Sequence, residues 1–377
     1  MPHRLPHTYL SGPWLMLYIL VLVSCGQQQY APAGETTPVA QVVVRVTATH
    51  SSTPTAVPVT PTPTMTPTPN LRSSPQPTAA PITPEVTPPT ETPDGNKARQ
   101  PRMIYVPGGF FPLGAAAGER YQECQTFRRG CQRAWFSNAE PTHLVLLNAF
   151  YIDQYEVTYE AFLQFLNDAG RQEGNCLGQD CFSLDKSPVF VLDGQYQVPP
   201  SLWKYPINNV SWYGAAAYCQ WRDARLPDEA EWEMAAGWNP DTEEKFQYPW
   251  GNAFAGENLN FCDNQCQESQ ANANYDDGYA TIAPIGRYES GRSPMGAYDM
   301  AGNVWEWVND WYAPDYYAHS PTAYPRGPIT GTQKVVRGGS WYDTGNFAGT
   351  TFRIGVDPVV TDDSIGFRCA QNASNDD

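Results

Sequence analysis

Residues 205–236 read YPINNVSWYGAAAYCQWRDARLPDEAEWEMAA, a run that carries two helices together with both of their start signals. Ser211 precedes Trp212, Ala215, Ala216 and Cys219, which repeat as one helix face requires, and its hydroxyl can cap the first turn. This stripe sets Cys219 on a buried face, a suitable anchor for a long-range disulfide. Asp228 opens the second helix, Glu231 three residues later completes a capping box, and Gly237 can end it.

Working outward, Met103 to Gly114 reads as a strand, a Gly-Gly turn and a second strand. Strand-like apolar runs follow in HLVLLNAFYIDQYEVT. Thr158 then caps a helix whose Phe162, Phe165, Leu166 and Ala169 fall at helical spacing. After Gly237 the chain turns to text rich in Gly, Asn, Asp and aromatic residues: YPWGN, NANYDDGYA, GAYDMAGNVWEWVNDWY, RGGSWYD and SIGFRCA. Early helices followed by long loops and short strands give an α+β pattern with few regular elements and a loop-rich second half.

Composition limits where this domain can lie. More than half of the 36 prolines fall before residue 102, whereas 11 of the 12 tryptophans fall after it. Only the second part can build a core, so one domain over residues 102–372 is expected, with 373–377 as a tail. The net charge of −16, with no basic run, argues against a nucleic-acid surface.

Arg4 precedes an apolar run from Trp14 to Val23, too short to span a bilayer comfortably. The run ends in Leu22-Val23-Ser24-Cys25 and resembles the lipobox of bacterial lipoproteins. Residues 1–25 are thus expected to be a signal peptide, with the Cys25 thiol acylated and the mature chain tethered outside a bacterial membrane. Residues 26–101, with runs such as TPTPTMTPTP, are expected to form an extended, polyproline-like stalk.

Of nine cysteines, setting Cys25 aside leaves eight, an even number in an exported chain. Cys124 with Cys131, Cys176 with Cys181, and Cys262 with Cys266 would each staple a short loop. Cys219 and Cys369 remain, closing a long one. A zinc site would need C-x-x-C spacing or histidine partners, and the folded part offers only His143 and His319.

Seven blocks now stand in order: GGFFPLG, FYIDQYEVTYEAFLQFL, the opening run, YPWGN, YDMAGNVWEWVNDWY, VVRGGSW and IGFRCA. Together they resemble the formylglycine-generating enzyme, or sulfatase-modifying factor, family across residues 102–371. The resemblance implies a C-type-lectin-like fold with two helices against small sheets, and long loops pinned by metal and disulfide. It also implies the Cys219–Cys369 pair.

Two calcium sites are implied by the same resemblance. One would use Asn260, the carbonyl of Phe261, Asp277 and the carbonyl of Tyr279. The other would use Asp299, the carbonyls of Gly302 and Val304, and Glu306. Oxygen ligands suit such a hard cation. Glu306 lies between Trp305 and Trp307, where an unpaired carboxylate would be costly, so a cation partner is also a physical expectation. The competing expectation is a salt bridge to Arg337 or Arg368.

Active members of the family use two cysteines after the Gly-Gly-Ser turn to bind copper and convert a substrate cysteine to formylglycine. Counting from Ser340, those positions here are Asp343 and Ala348. Soft thiolates suit Cu(I); a carboxylate and a methyl do not, so copper is not expected. No cysteine lies between Cys266 and Cys369, and Cys262 with Cys266 are expected to pair with each other. The three-histidine iron centre of the ergothioneine-type branch lacks its histidines. Nothing in the sequence places His143 or His319 beside a nucleophile, and the paired Asp276 and Asp277 suit a metal loop.

The expected cleft lining is Arg337, Ser340, Trp341, Tyr342, Asp343 and Asn346. Aromatics with scattered polar groups suit peptide, protein or glycan recognition. The expected function is a non-catalytic binding or assembly module, with an oxidoreductase acting on exported cysteines as the alternative.

Overall fold

The computed structural model describes residues 101–127, 130–170, 175–268 and 270–374. The expectations for Cys25, the signal peptide and the stalk lie outside the described residues. No helix among the described residues is long and apolar enough to cross a membrane.

Four α-helices are present among the described residues: α1 Ala117–Phe127, α2 Tyr159–Asp168, α3 Trp212–Trp221 and α4 Glu229–Gly237. Three start as their sequences dictate. Thr158 Oγ1 accepts from Ala161 N, Ser211 Oγ accepts from Gly214 N, and Asp228 and Glu231 form the reciprocal capping box. Helix α1 is the one the sequence did not disclose. Its buried face comprises only Ala117, Arg120 and Cys124, too thin an apolar stripe to stand out, and the Cys124–Cys131 disulfide pins its end.

The strands are short. In chain order they are β1 Met103–Val106, β2 Gly109–Leu113, β3 His143–Leu147, β4 Phe150–Asp153, β5 Phe190–Leu192, β6 Gln195–Gln197, β7 Trp238–Asn239, β8 Glu244–Lys245, β9 Trp305–Trp311, β10 Lys334–Arg337, β11 Arg353–Val356, β12 Ile365–Phe367 and β13 Ala370–Asn372. β1 and β2 form on either side of the Gly-Gly pair but do not join each other. β1 pairs with β4, and β2 pairs with β3. One sheet has the order β1-β4-β13, and the main sheet has the order β11-β10-β9-β12.

The stretch VWEWVNDW, expected among the late loops, instead supplies β9, which pairs antiparallel with β10 and parallel with β12. Trp305, Trp307 and Trp311 fall on one face of a strand, but Val308 and Asn309 reverse the apolar–polar alternation that would mark it in the sequence. A bulge between Lys334 and Val336 interrupts its pairing with β10.

Helices α2 and α3 pack through Phe162, Phe165 and Tyr218, and Phe367 of β12 meets both Phe162 and Tyr218. Disulfide Cys219–Cys369 ties α3 to the chain's end, and the other three bridges join the neighbouring cysteines as counted.

Every residue of α4 is buried, so its carboxylates need partners inside the protein. Glu229 accepts from both Arg337 and Arg353, and Glu233 accepts from Arg337 and Lys245. Burial opposes ionisation of Glu233, but Lys245 and Arg337 overcome it and hold its carboxyl at about 2.

Candidate functional site

The Arg-Gly-Gly-Ser turn leaves the end of β10. Gly338 and Gly339 take φ values of +97° and +74°, a left-handed pair that residues with a Cβ rarely adopt. The turn is held against the calcium-loop segments: Gly302 N donates to the Gly338 carbonyl at 2.9 Å, and Trp341 N to the Asn303 carbonyl at 2.9 Å.

Beyond the turn, Asp343 Oδ2 accepts from Ser340 Oγ at 2.5 Å and from Trp305 Nε1 at 2.8 Å. Burial pushes this carboxyl up to about 6, against the pull of those two donors. The backbone carbonyl of Asp343 accepts from Cys262 N at 2.9 Å. The Cys262–Cys266 disulfide therefore lies against this site, with both sulfurs bonded to each other. Ala348 is buried and packs with Leu259, Phe261 and Ala301.

The six expected cleft residues divide. Trp341 is half-buried and Tyr342 exposed; Ser340 is buried beneath them and bonded to Asp343. Arg337 does not line a cleft. It is fully buried in the α4 ion-pair network, because two buried glutamates need its charge. Asn346 is likewise fully buried, with its Oδ1 bonded to the Thr344 hydroxyl.

A cavity of 390 Å³ opens beside Trp341, walled also by Tyr205, Tyr279, Asn208, Asn209 and Asp363. Trp341 Nε1 donates to the Asp363 carbonyl at 3.1 Å, which fixes the ring. Asn208 and Asn209 are residues the sequence reading missed. Asn209 has φ +55°, is nearly fully buried and donates through Nδ2 to Lys186 O and Asn208 Oδ1; its Oδ1 has no protein donor. A left-handed asparagine with a spare acceptor is the kind of local strain found at binding sites. Its only sequence signal is the Asn-Asn pair before the Ser211 cap.

At the first expected calcium position, Asn260 is buried and its Oδ1 has no protein partner. Its Nδ2 donates to Thr281 O and Asn303 Oδ1, which fixes the direction of the amide. Asp277 accepts from the backbone N–H groups of Phe261 and Tyr279, both at 2.9 Å, and burial pushes its carboxyl up to about 7. A spare amide oxygen beside a buried carboxylate and the carbonyls of Phe261 and Tyr279 is a donor set that fits a hard cation.

At the second position the competing expectation holds for Glu306. Arg368 meets both of its oxygens at 2.7 Å, and Trp232 Nε1 adds a bond at 2.8 Å. Arg337 is not the partner. Asp299 takes φ +57° and accepts from Gly286 N at 2.6 Å. The structure adds Glu156, a buried carboxylate that accepts from Asn303 Nδ2 at 2.7 Å. Burial, with Asp299 and Glu306 adding to it, pushes Glu156 well above the usual carboxylate range. Three carboxylates thus face one guanidinium, an excess of two negative charges if all ionise. Among the described residues no three Asp, Glu, His or Cys side chains come close enough to hold a metal ion on their own. A cation at either position therefore depends on carbonyl and amide oxygens.

The structure also sets His143 beside a hydroxyl, which the sequence did not disclose. Ser320 Oγ lies 2.5 Å from Nε2, and Nδ1 lies 2.9 Å from the Pro141 carbonyl. A backbone carbonyl, not a carboxylate, orients the ring.

The family described as the sulfatase-modifying factor enzyme 1-like domain matches residues 89–373. The chain belongs to this family. A formylglycine-generating enzyme of Streptomyces coelicolor is 31% identical, with the match covering 72% of this chain and 89% of the relative. The serine/threonine-protein kinase pkn1 of Chlamydia pneumoniae is also 31% identical, over 72% of this chain but only 38% of its own length. The chain thus spans well under half of that relative. The structure of PvdO from Pseudomonas aeruginosa has the same fold, with a TM-score of 0.52 at 23% identity, covering 72% of this chain and 95% of PvdO. In this sulfatase-modifying factor domain the post-turn positions hold a bonded carboxylate at 343 and a packed methyl at 348.

Proposed function

We propose that this domain is a non-catalytic binding or assembly module that takes a peptide, protein or glycan in the cleft beside Trp341. One observation carries the reading. Where the resemblance puts paired thiolates, Asp343 is committed to Ser340 and Trp305, and Ala348 is packed in the core. A carboxylate and a methyl give Cu(I) no soft ligand, and the neighbouring sulfurs of Cys262 and Cys266 are joined to each other. The cavity beside Trp341 supports recognition: it has a fixed aromatic wall and an asparagine acceptor for a ligand's N–H or O–H.

Calcium is part of this proposal. Asn260, Asp277 and the carbonyls of Phe261 and Tyr279 would hold one ion. Asp299 and the carbonyls of Gly302 and Val304 would hold another, with Glu156 supplying the charge that Glu306 gives to Arg368. The bound ions would supply positive charge inside loops that have few ladder bonds. The proposal also includes a lipid on Cys25 and a stalk over residues 26–101, which would present the domain outside a bacterial membrane.

The test offers the purified chain Cu(I) in competition with a chelator, and a Cys-x-Pro-x-Arg peptide under oxygen. No copper retention, no oxygen consumption and no aldehyde are expected. Tight Cu(I) uptake with aldehyde formation would instead establish the alternative, an oxidoreductase modifying cysteine in exported proteins such as sulfatases. In parallel, a Trp341→Ala variant should lose binding to whatever peptide or glycan an array identifies.

A further inference from the structure

Next to Leu202, which lines the cavity beside Trp341, Trp203 lines two further cavities of 640 and 480 Å³, each together with Glu160 and Gln164. Trp203 is 46% exposed. Six other indoles in the domain donate their N–H to a protein oxygen, whereas among the described residues Trp203 makes no such bond and no ring stacks on it. An indole left nearly half exposed, its N–H without a protein acceptor, is the amphipathic surface that recognition sites present.

The backbone that carries the ring is held firmly. It follows the 3₁₀ turn Pro200–Leu202, preceded by Pro199, and its N–H and C=O bond to Pro200 O and Glu160 N. The facing wall is equally fixed, since the Asn167 side chain clamps both backbone groups of Tyr196 and holds the β5–β6 hairpin on α2. A second aromatic, Phe190, is 43% exposed on the same 480 Å³ cavity. Such rigid walls lose little entropy when a ligand binds.

The chemistry of the cavity narrows its occupant. Among the described residues the polar lining of the 480 Å³ cavity is mainly carboxamides and carboxylates, with Gln164, Gln195, Gln197 and Glu160 foremost, and no lysine, arginine or histidine. An anionic ligand would find no counter-charge among these lining residues, and a purely apolar one would bury their polar groups unpaired. A ligand that is flat and apolar on one face, with hydroxyls around its edge that both donate and accept, meets both demands. We propose that this groove binds a neutral oligosaccharide, one sugar ring stacked on Trp203 and its neighbour reaching toward Phe190. The groove shares no lining residue with the cleft beside Trp341.

The test titrates the full chain with cellohexaose, chitohexaose and mannohexaose, following tryptophan fluorescence, with co-sedimentation on insoluble glucan, chitin, mannan and peptidoglycan. At least one saccharide should bind saturably. Trp203→Ala should weaken it tenfold or more with an unchanged melting temperature, Trp203→Phe should retain most of it, and Gln195→Ala should weaken it severalfold. The Trp203-dependent part of the binding should persist in a Trp341→Ala background, so a failure of the Trp341 reading would not touch this one. The proposal is overturned by an absence of binding across the panel. It is overturned equally if, in a Trp341→Ala background, binding survives Trp203→Ala, or if the Trp203-dependent ligand proves to be a cationic peptide with salt-sensitive affinity.

Discussion

The Nδ2 amide of Asn260 donates to Oδ1 of Asn303 at 2.9 Å, joining the two expected calcium segments through one buried amide pair. Asn303 also accepts from Ala283 N and donates to Glu156, all from a left-handed backbone at φ +61°. Replacing it with leucine strands three partners at once. The expected loss is about 3 kcal/mol, at about 1 kcal/mol per bond, read from the urea midpoint at constant m. A loss below about 1 kcal/mol would deny the residue this joining role.

Calcium removal should lower the melting temperature, and re-addition should restore it. An ion at one hundred times its Kd contributes about 2.7 kcal/mol, and a domain of this size shifts roughly 2–4 °C per kcal/mol. Asn260→Ala should abolish the part owed to the first position. Identical melting in chelator and in millimolar calcium would end the calcium proposal.

Arg337 sits between Glu229 and Glu233 with contacts of 2.6 Å to each. Arg337→Met removes the cation and leaves the carboxylates on a fully buried helix. The expected cost is about 3–5 kcal/mol, typical of breaking one side of a buried pair. Chemical denaturation measures it, and a near-neutral result would mean that Arg353 and Lys245 alone neutralise the helix.

Lys334 projects between Trp212 and Trp311, with Nζ 4.0 Å from each ring centroid and bonded to Asn309 O at 2.7 Å. Burial pushes its ammonium down to about 8, against the attraction of Asp310. A lysine whose folded pKa lies below its unfolded value binds fewer protons when folded, so stability rises with pH between the two. Relative to Lys334→Met, the natural chain should gain stability from pH 8 to about 10.4, the ordinary lysine value. A flat difference across that range would show the ammonium to be well solvated.

The Cys219–Cys369 bridge closes a separation of 150 residues. Its removal as a double serine variant should cost about 4–5 kcal/mol through the freed denatured chain. A much smaller loss would indicate that the denatured chain stays compact without it.

The parts of the fold written in local chemistry could be read from sequence. The caps at Thr158, Ser211 and Asp228 work through atoms three residues away, and the cysteine count left few pairings. What escaped depended on distant partners. β9 was hidden because its pairing with β10 and β12 lies far along the chain, and α1 because a disulfide substitutes for an apolar stripe. At the site, Asp343 was legible as a missing thiol, but its bond to Trp305 Nε1 was not. Arg337 was misassigned because β10 delivers it to α4, more than a hundred residues earlier. Glu156 and Asn209 carry no local mark of their burial.

The first and last strands of this domain, β1 and β13, both lean on β4, while β12 enters the main sheet beside β9. Completion of both sheets therefore waits on residues 365–372, which supply β12 and β13. A chain cut before Ile365 would keep two open sheets and an orphaned thiol at Cys219.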